Sequence, residues 1–396
     1  MSIRRYLTIA GIWLLPLTAG TNAEAVRPGD DALVLAVVQP RQQNGSSALN
    51  AARTALAADP QNLELALALA RAAIEEGREQ ANPRRYGEAQ AALAPWWDGL
   101  EPPTEVRVLR AVILQAFHNF LAALADLDSV LASEPDNAQA RFSRALVRLV
   151  GGDVLGATAD CQQLPVSAGR HVAMTCLARV AAMRGAGARA YEKLGRLIAA
   201  DPGLTGAMRG FAISIAADLA IGLGLDSAAE RYFMEAANGA AADVPLLAAY
   251  ADYLLDSGRA AEALDLLKGK GEADILLLRR AIAAKRLGDA RLEEWSAILD
   301  ERFAAAAASG NRVHLREEAR YRLEVLDNPQ EALPLAEANW QVQKEVADAR
   351  ILLACAIASG EASVAASVVD FVRKTGLRDS RLTPLLNQLS MMGAKS

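Results

Sequence analysis

The chain has 396 residues, 85 of them alanine, with 42 Lys plus Arg against 47 Asp plus Glu and only 5% aromatics. An apolar fraction of 52% is too high for a disordered tail, and three cysteines are too few for a disulfide-built scaffold. The net charge of −5 lacks the clustered basic residues that neutralise phosphates, which argues against nucleic acid as a partner.

Residues 1–25 read as an export signal. Arg4 and Arg5 supply a short positive region, and Tyr6 to Ala19 form an apolar run interrupted by Pro16. Thr21-Asn22-Ala23 and Ala23-Glu24-Ala25 offer small-residue cleavage sites, so the signal peptide is residues 1–23 with cleavage after Ala23 or Ala25. The apolar run is shorter than the roughly 20 residues a spanning helix needs. Cleavage at Ala23 removes two arginines and no acids, leaving 40 minus 47, or −7. The expectation is an exported protein, periplasmic in a bacterium, with no stable membrane insertion once the signal is gone. Residues 24–45, with Pro28, Pro40, Gly45 and the apolar stretch Ala32 to Val38, read as an extended lead-in.

From residue 46 the chain repeats. Three turn phrases, Asp59-Pro60-Gln61-Asn62, Glu134-Pro135-Asp136-Asn137 and Asp201-Pro202-Gly203, each follow a helical run that proline cannot continue. A small residue recurs on the helix after a turn: Ala48, Ala89, Ala123, Ala157, Ala190, Ala229, Ala263, then Glu293, Ala332 and Ala365. The commonest spacing is 34 residues, with 30 to 41 as the extremes. Five residues before six of these positions stands a turn glycine: Gly152, Gly185, Gly224, Gly258, Gly288 and Gly360. Seven residues before most turns stands another small residue: Ala70, Ala111, Ala145, Ala178, Ala217, Ala251 and Ala281. Each unit is therefore two antiparallel helices whose small side chains let the backbones pack closely. A larger apolar residue follows on the second helix, Leu127, Leu194, Phe233, Leu267 or Val369, and wedges against the next unit.

This register resembles the tetratricopeptide repeat family, exported bacterial type, over residues 46–375, with about nine pairs. The resemblance implies an all-α fold, a right-handed superhelical solenoid of stacked antiparallel helix pairs with a concave groove lined by first helices. The chain departs from the family where Leu or Ala replaces the usual aromatics, and where residues 78–87 and 300–311 carry insertions, the latter with Ala304 to Ala308. Residues 376–396 form a capping helix and tail: Thr383-Pro384 starts a last short helix, proline being tolerated in a first turn.

Catalytic patterns are thin. Gly269-Lys270-Gly271 lacks the rest of a phosphate loop, and no nucleophile elbow or His-Glu-x-x-His helix occurs. His118, His171 and His314 lie in separate units without ligand spacing, so no metal site and no cofactor are expected. Asp126 and Asp128 read as a solvated face. Cys161 sits at a wedge position and Cys176 in the next first helix, joined by a turn near Leu164–Gly169. An oxidising compartment permits a disulfide between them; two small buried thiols are the alternative. Cys355 is left over as an inert core thiol.

Tetratricopeptide units commonly bind partner proteins through the concave face. Carrying over the first-helix positions that line it gives Arg71, Phe142, Arg179, Asp218, Asp252, Lys285, Glu317, Tyr321 and Arg350 as candidate groove residues. The Lys/Asn/Arg constellation of members that clamp a terminal carboxylate is not present at the matching positions. Trp96-Trp97 reads either as packing on the neighbouring unit or as an exposed patch. The expected function is a non-enzymatic, exported scaffold binding a protein partner; the alternative is a polysaccharide-handling or assembly module of an envelope secretion system.

Overall fold

Eight of the helices begin at an amide-capping side chain. In the computed structural model, which describes residues 46–238, 243–308 and 313–393, Asn62 and Asn137 of the two turn phrases accept hydrogen bonds from the amides of Leu65 and Ala140. Ser46, Asn82, Asn119, Asp153, Asp243 and Asn328 do the same for their own helices. Each cap satisfies one of the donors a helix start leaves unpaired. The expected signal and lead-in lie outside the described residues.

After α1 (Ser47–Ala58) the described residues form nine helix pairs and a last helix. The pairs are α2 (Leu63–Gln80) with α3 (Pro83–Ala92), followed by the short α4 (Ala94–Trp97); α5 (Thr104–Ala116) with α6 (Phe120–Ser133); and α7 (Ala138–Val150) with α8 (Val154–Gln162). Next come α9 (Arg170–Ala182) with α10 (Gly187–Ala200), α11 (Gly206–Gly222) with α12 (Asp226–Asn238), and α13 (Val244–Asp256) with α14 (Ala260–Leu267). Then follow α15 (Asp274–Leu287) with α16 (Arg291–Ala308), and α17 (Leu315–Arg320), continued by a π-helical turn at Tyr321–Val325, with α18 (Pro329–Val342). The ninth pair is α19 (Val346–Ser359) with α20 (Ala366–Thr375), the latter entered through a 3₁₀ turn at Ala362–Ala365; α21 (Thr383–Gly393) packs on α19. The fold is all-α: no strand occurs among the described residues.

The alanine register is the packing register. Ala70, Ala111, Ala145, Ala178, Ala217, Ala251 and Ala281 are all buried, as are Ala89, Ala123, Ala157, Ala190, Ala229, Ala263, Ala332 and Ala365. The six turn glycines all take left-handed backbone, φ from 65° to 89°, where a Cβ would be strained. Three positions depart from the register. Ala48 and Glu293 are exposed. In α16 the contact moves down the longer helix to Leu299 and Phe303, four residues apart on one face. Val369 is 41% exposed and its neighbour Val368 is buried instead, because the 3₁₀ turn before α20 has about three residues per turn and rotates the helix face.

Candidate functional site

Contacts between like helices of neighbouring units run through the first helices: α2 with α5, α5 with α7, α7 with α9, α9 with α11, α13 with α15 and α17 with α19. The first helices therefore line the inner face, and the nine candidate groove residues all belong to first helices or their continuations. The stack also winds back on itself, so units far apart in sequence meet there. α2 touches α13, and Arg78 pairs with Asp243 at 2.7 Å. His118, in the turn after α5, shares a 2.9 Å hydrogen bond with Gln343. Lys344 donates its amide to the Val150 carbonyl at 2.8 Å, and Arg350 grips Asp256 through both carboxylate oxygens at 2.6 and 2.7 Å.

This geometry gives most of the candidate residues partners within the chain. Arg179 donates to Glu345 and lies 3.4 Å from Asp218, which in turn accepts Arg381 at 2.8 Å. Burial works against ionising Asp218, but Arg381 and Arg179 outweigh it and hold the carboxyl below its ordinary value. Asp252 lies between Arg279 and Arg320 at 2.6 and 2.9 Å; burial again opposes its charge, and the two guanidiniums hold it below the usual carboxylate range. Lys285 donates to the Val325 carbonyl at 2.7 Å and pairs with Asp327 at 2.5 Å. Glu317 is buried beside Arg316, which also pairs with Asp348 at 3.2 Å. Tyr321 is fully buried, donates its hydroxyl to the Ser296 carbonyl, and has its phenol pushed by burial up to about 12. Phe142 is half-buried against Phe211, edge to face at 6.2 Å. Arg71 alone of the nine is exposed at the surface.

Some residues of this network escaped the sequence reading. Asp126 is buried and binds Arg110 bidentately, so it is no part of a solvated face; only Asp128 is exposed. The same arrangement recurs one unit later, where Asp160 accepts Arg144 at 2.6 Å and Arg148 at 2.8 Å. Arg110 and Arg144, like Asp126 and Asp160, are 34 residues apart, and that shared spacing was the available signal. Arg110 also donates to the Trp97 carbonyl and stands over its ring, so the Trp96-Trp97 pair, half-buried, packs on the first core cluster.

Cys161 and Cys176 are joined by a disulfide across the α8–α9 turn, with Cα atoms 5.6 Å apart. Cys355 is buried, and burial pushes its thiol up to about 12. His171 and His314 stand at helix starts. Among the described residues no group of His, Cys, Asp and Glu is placed to hold a metal ion, and no helix is long and apolar enough to cross a membrane.

Where the C-terminal segment meets α9 and α11, a small pocket of about 130 Å³ remains. Arg179, Asp218, Glu345, Arg378, Asp379 and Arg381 are among its lining residues.

No protein-family profile matches this chain, and no curated protein matches it. A crystal structure of a tetratricopeptide repeat protein from Parabacteroides merdae is similar over 72% of this chain and 98% of its own length, at 12% identity and a TM-score of 0.38. By its own pairing and alanine register, the chain is an all-α protein of stacked antiparallel helix pairs.

Proposed function

We propose that this protein is a non-enzymatic interaction scaffold, exported to the periplasm, whose stacked first helices hold a protein partner. The observation that carries this reading is the inner face itself. Nine stacked helix pairs line up their first helices and set acidic and basic side chains there, most of them already paired within the chain, so a polypeptide partner would have to exchange for some of these internal pairs. A polysaccharide track would call for open aromatic platforms, and Tyr321 and Phe142 are instead packed inward.

Cross-linking of the full chain in a bacterial envelope, followed by mass spectrometry, tests the scaffold. Cross-links from inner-face residues to one protein, recovered reproducibly, are expected; none across several growth conditions would overturn it. Export is tested separately by fractionation and amino-terminal sequencing, with a mature end at Glu24 or Val26 expected. A full-length cytoplasmic product would refute it.

A further inference from the structure

The inner face of units four and five is already occupied, and by the protein's own chain. Between α20 and α21 the residues Gly376–Leu382 leave helical geometry and lie across the carboxyl ends of α9 and α11. The Ser380 amide donates to the Gly222 carbonyl at 2.9 Å, and the Ser380 hydroxyl to the Ile221 carbonyl at 2.6 Å. Arg381 reaches Asp218 one turn back on α11, and Asp379 holds the same guanidinium at 2.6 Å. Leu377 and Leu382 are buried at either end of the segment. Two glycines make room: a side-chain carbon on Gly185 would fall 2.3 Å from the Gly376 carbonyl oxygen, and one on Gly222 would fall 2.8 Å from an Asp379 carboxylate oxygen.

Beside Arg179 of α9, which lies 3.4 Å from Asp218, the end of α11 is one-sided in its chemistry. The end of α11 presents carbonyls, the negative end of the helix dipole, and a carboxylate on the same face. Every group it offers to the segment is an acceptor, so it suits an occupant that brings N–H and O–H donors and a guanidinium. Ser380-Arg381 is such an occupant. The fit is incomplete, since the pocket remains beside it, and Arg378 at its edge is exposed and has no ion pair among the described residues.

Resting on the scaffold reading, we propose that Gly376–Leu382 is an internal stand-in for the partner. It would cover a receptor for an irregular, donor-rich peptide segment carrying an arginine, and the partner must displace it to bind. The segment thereby keeps the scaffold closed until a competing arginine-bearing segment arrives.

The test uses the full-length protein and, as probe, a fluorescent synthetic peptide with the sequence of residues 375–383. Hydrogen exchange at the Ser380 amide reports release of the segment, and fluorescence anisotropy reports peptide binding. In wild type the amide is protected and the peptide binds poorly. Arg381→Ala speeds exchange and raises peptide affinity at least about tenfold, the scale of one partly buried ion pair. Adding Asp218→Asn to Arg381→Ala removes that gain. Arg381→Lys, which keeps the charge, covers the case in which Arg381→Ala does not fold, and gives an intermediate gain. The proposal is overturned if the segment is released and the peptide still does not bind, or if both substitutions leave Ser380 protected. It also falls if a partner found by cross-linking binds wild type and Arg381→Ala equally; that outcome leaves the scaffold standing.

Discussion

His118 offers the sharpest test of the winding that brings distant units together. It sits in the turn after α5 with φ at +57°, its ring against Phe120 and its Nε2 against the Gln343 amide. Burial first, and then the charge of Arg316 with a smaller push from His314, lower its imidazole from 6.5 to about 4, against the weaker pull of Glu317 and Glu345. The folded chain thus holds His118 neutral, and between these two values the unfolded chain binds more protons. Stability from this residue is therefore complete above pH 6.5 and declines as pH falls toward 4. Integrating over the two values gives a loss of about 2 kcal/mol between pH 7 and pH 5. Urea unfolding of wild type and His118→Asn at both pH values isolates the effect; asparagine tolerates the left-handed backbone and does not titrate there. The wild type is expected to lose about 2 kcal/mol more than the variant on acidification. Equal losses would show that His118 is not buried against Gln343 and Arg316, and the contact between units two and eight would be wrong.

Three further outcomes follow from the packing. Ala157→Leu and Ala263→Leu each force extra volume between fully buried helices and are expected to cost roughly 1–3 kcal/mol, seen as lower melting temperatures; unchanged melting in both would contradict the register. Asp160→Asn leaves Arg144 and Arg148 facing a neutral group in a site where the Asp160 side chain is 2% exposed. A loss of about 3–5 kcal/mol in urea unfolding is expected, whereas Asp128→Asn, at an exposed position, stays within about 0.5 kcal/mol; similar effects would sink the assignment. Protein prepared from an oxidising compartment should show one titratable thiol after denaturation without reductant, and reduction should cost about 3 kcal/mol for a loop of this length. Three free thiols would rule the bond out.

Sequence and structure agree where the physics is local. The alanines of both helices and the glycines between them act over one unit, because a small residue is needed wherever two backbones come close. That need repeats every 34 residues or so, and it shows as a period. Besides the exposed Ala48 in α1, the register slipped where local geometry broke the period, at the elongated α16 and at the 3₁₀ turn before α20. The Arg110–Asp126 pair and its copy at Arg144–Asp160 obey the same period, but charged residues on a helix are commonly solvated, so their types alone do not mark them as buried.

By itself, then, the sequence determined the pairing of helices, their number and which small residues separate them. It also offered nine candidate groove positions, eight of which are packed against or bonded to the same chain. Only the tertiary structure decided that. Arg179 meets Glu345 across 166 residues and Arg381 meets Asp218 across 163, and neither pair lies in neighbouring units. Such contacts depend on the rotation from each unit to the next, summed over several units. No single residue carries that sum, so the winding that fills the inner face left no motif to read.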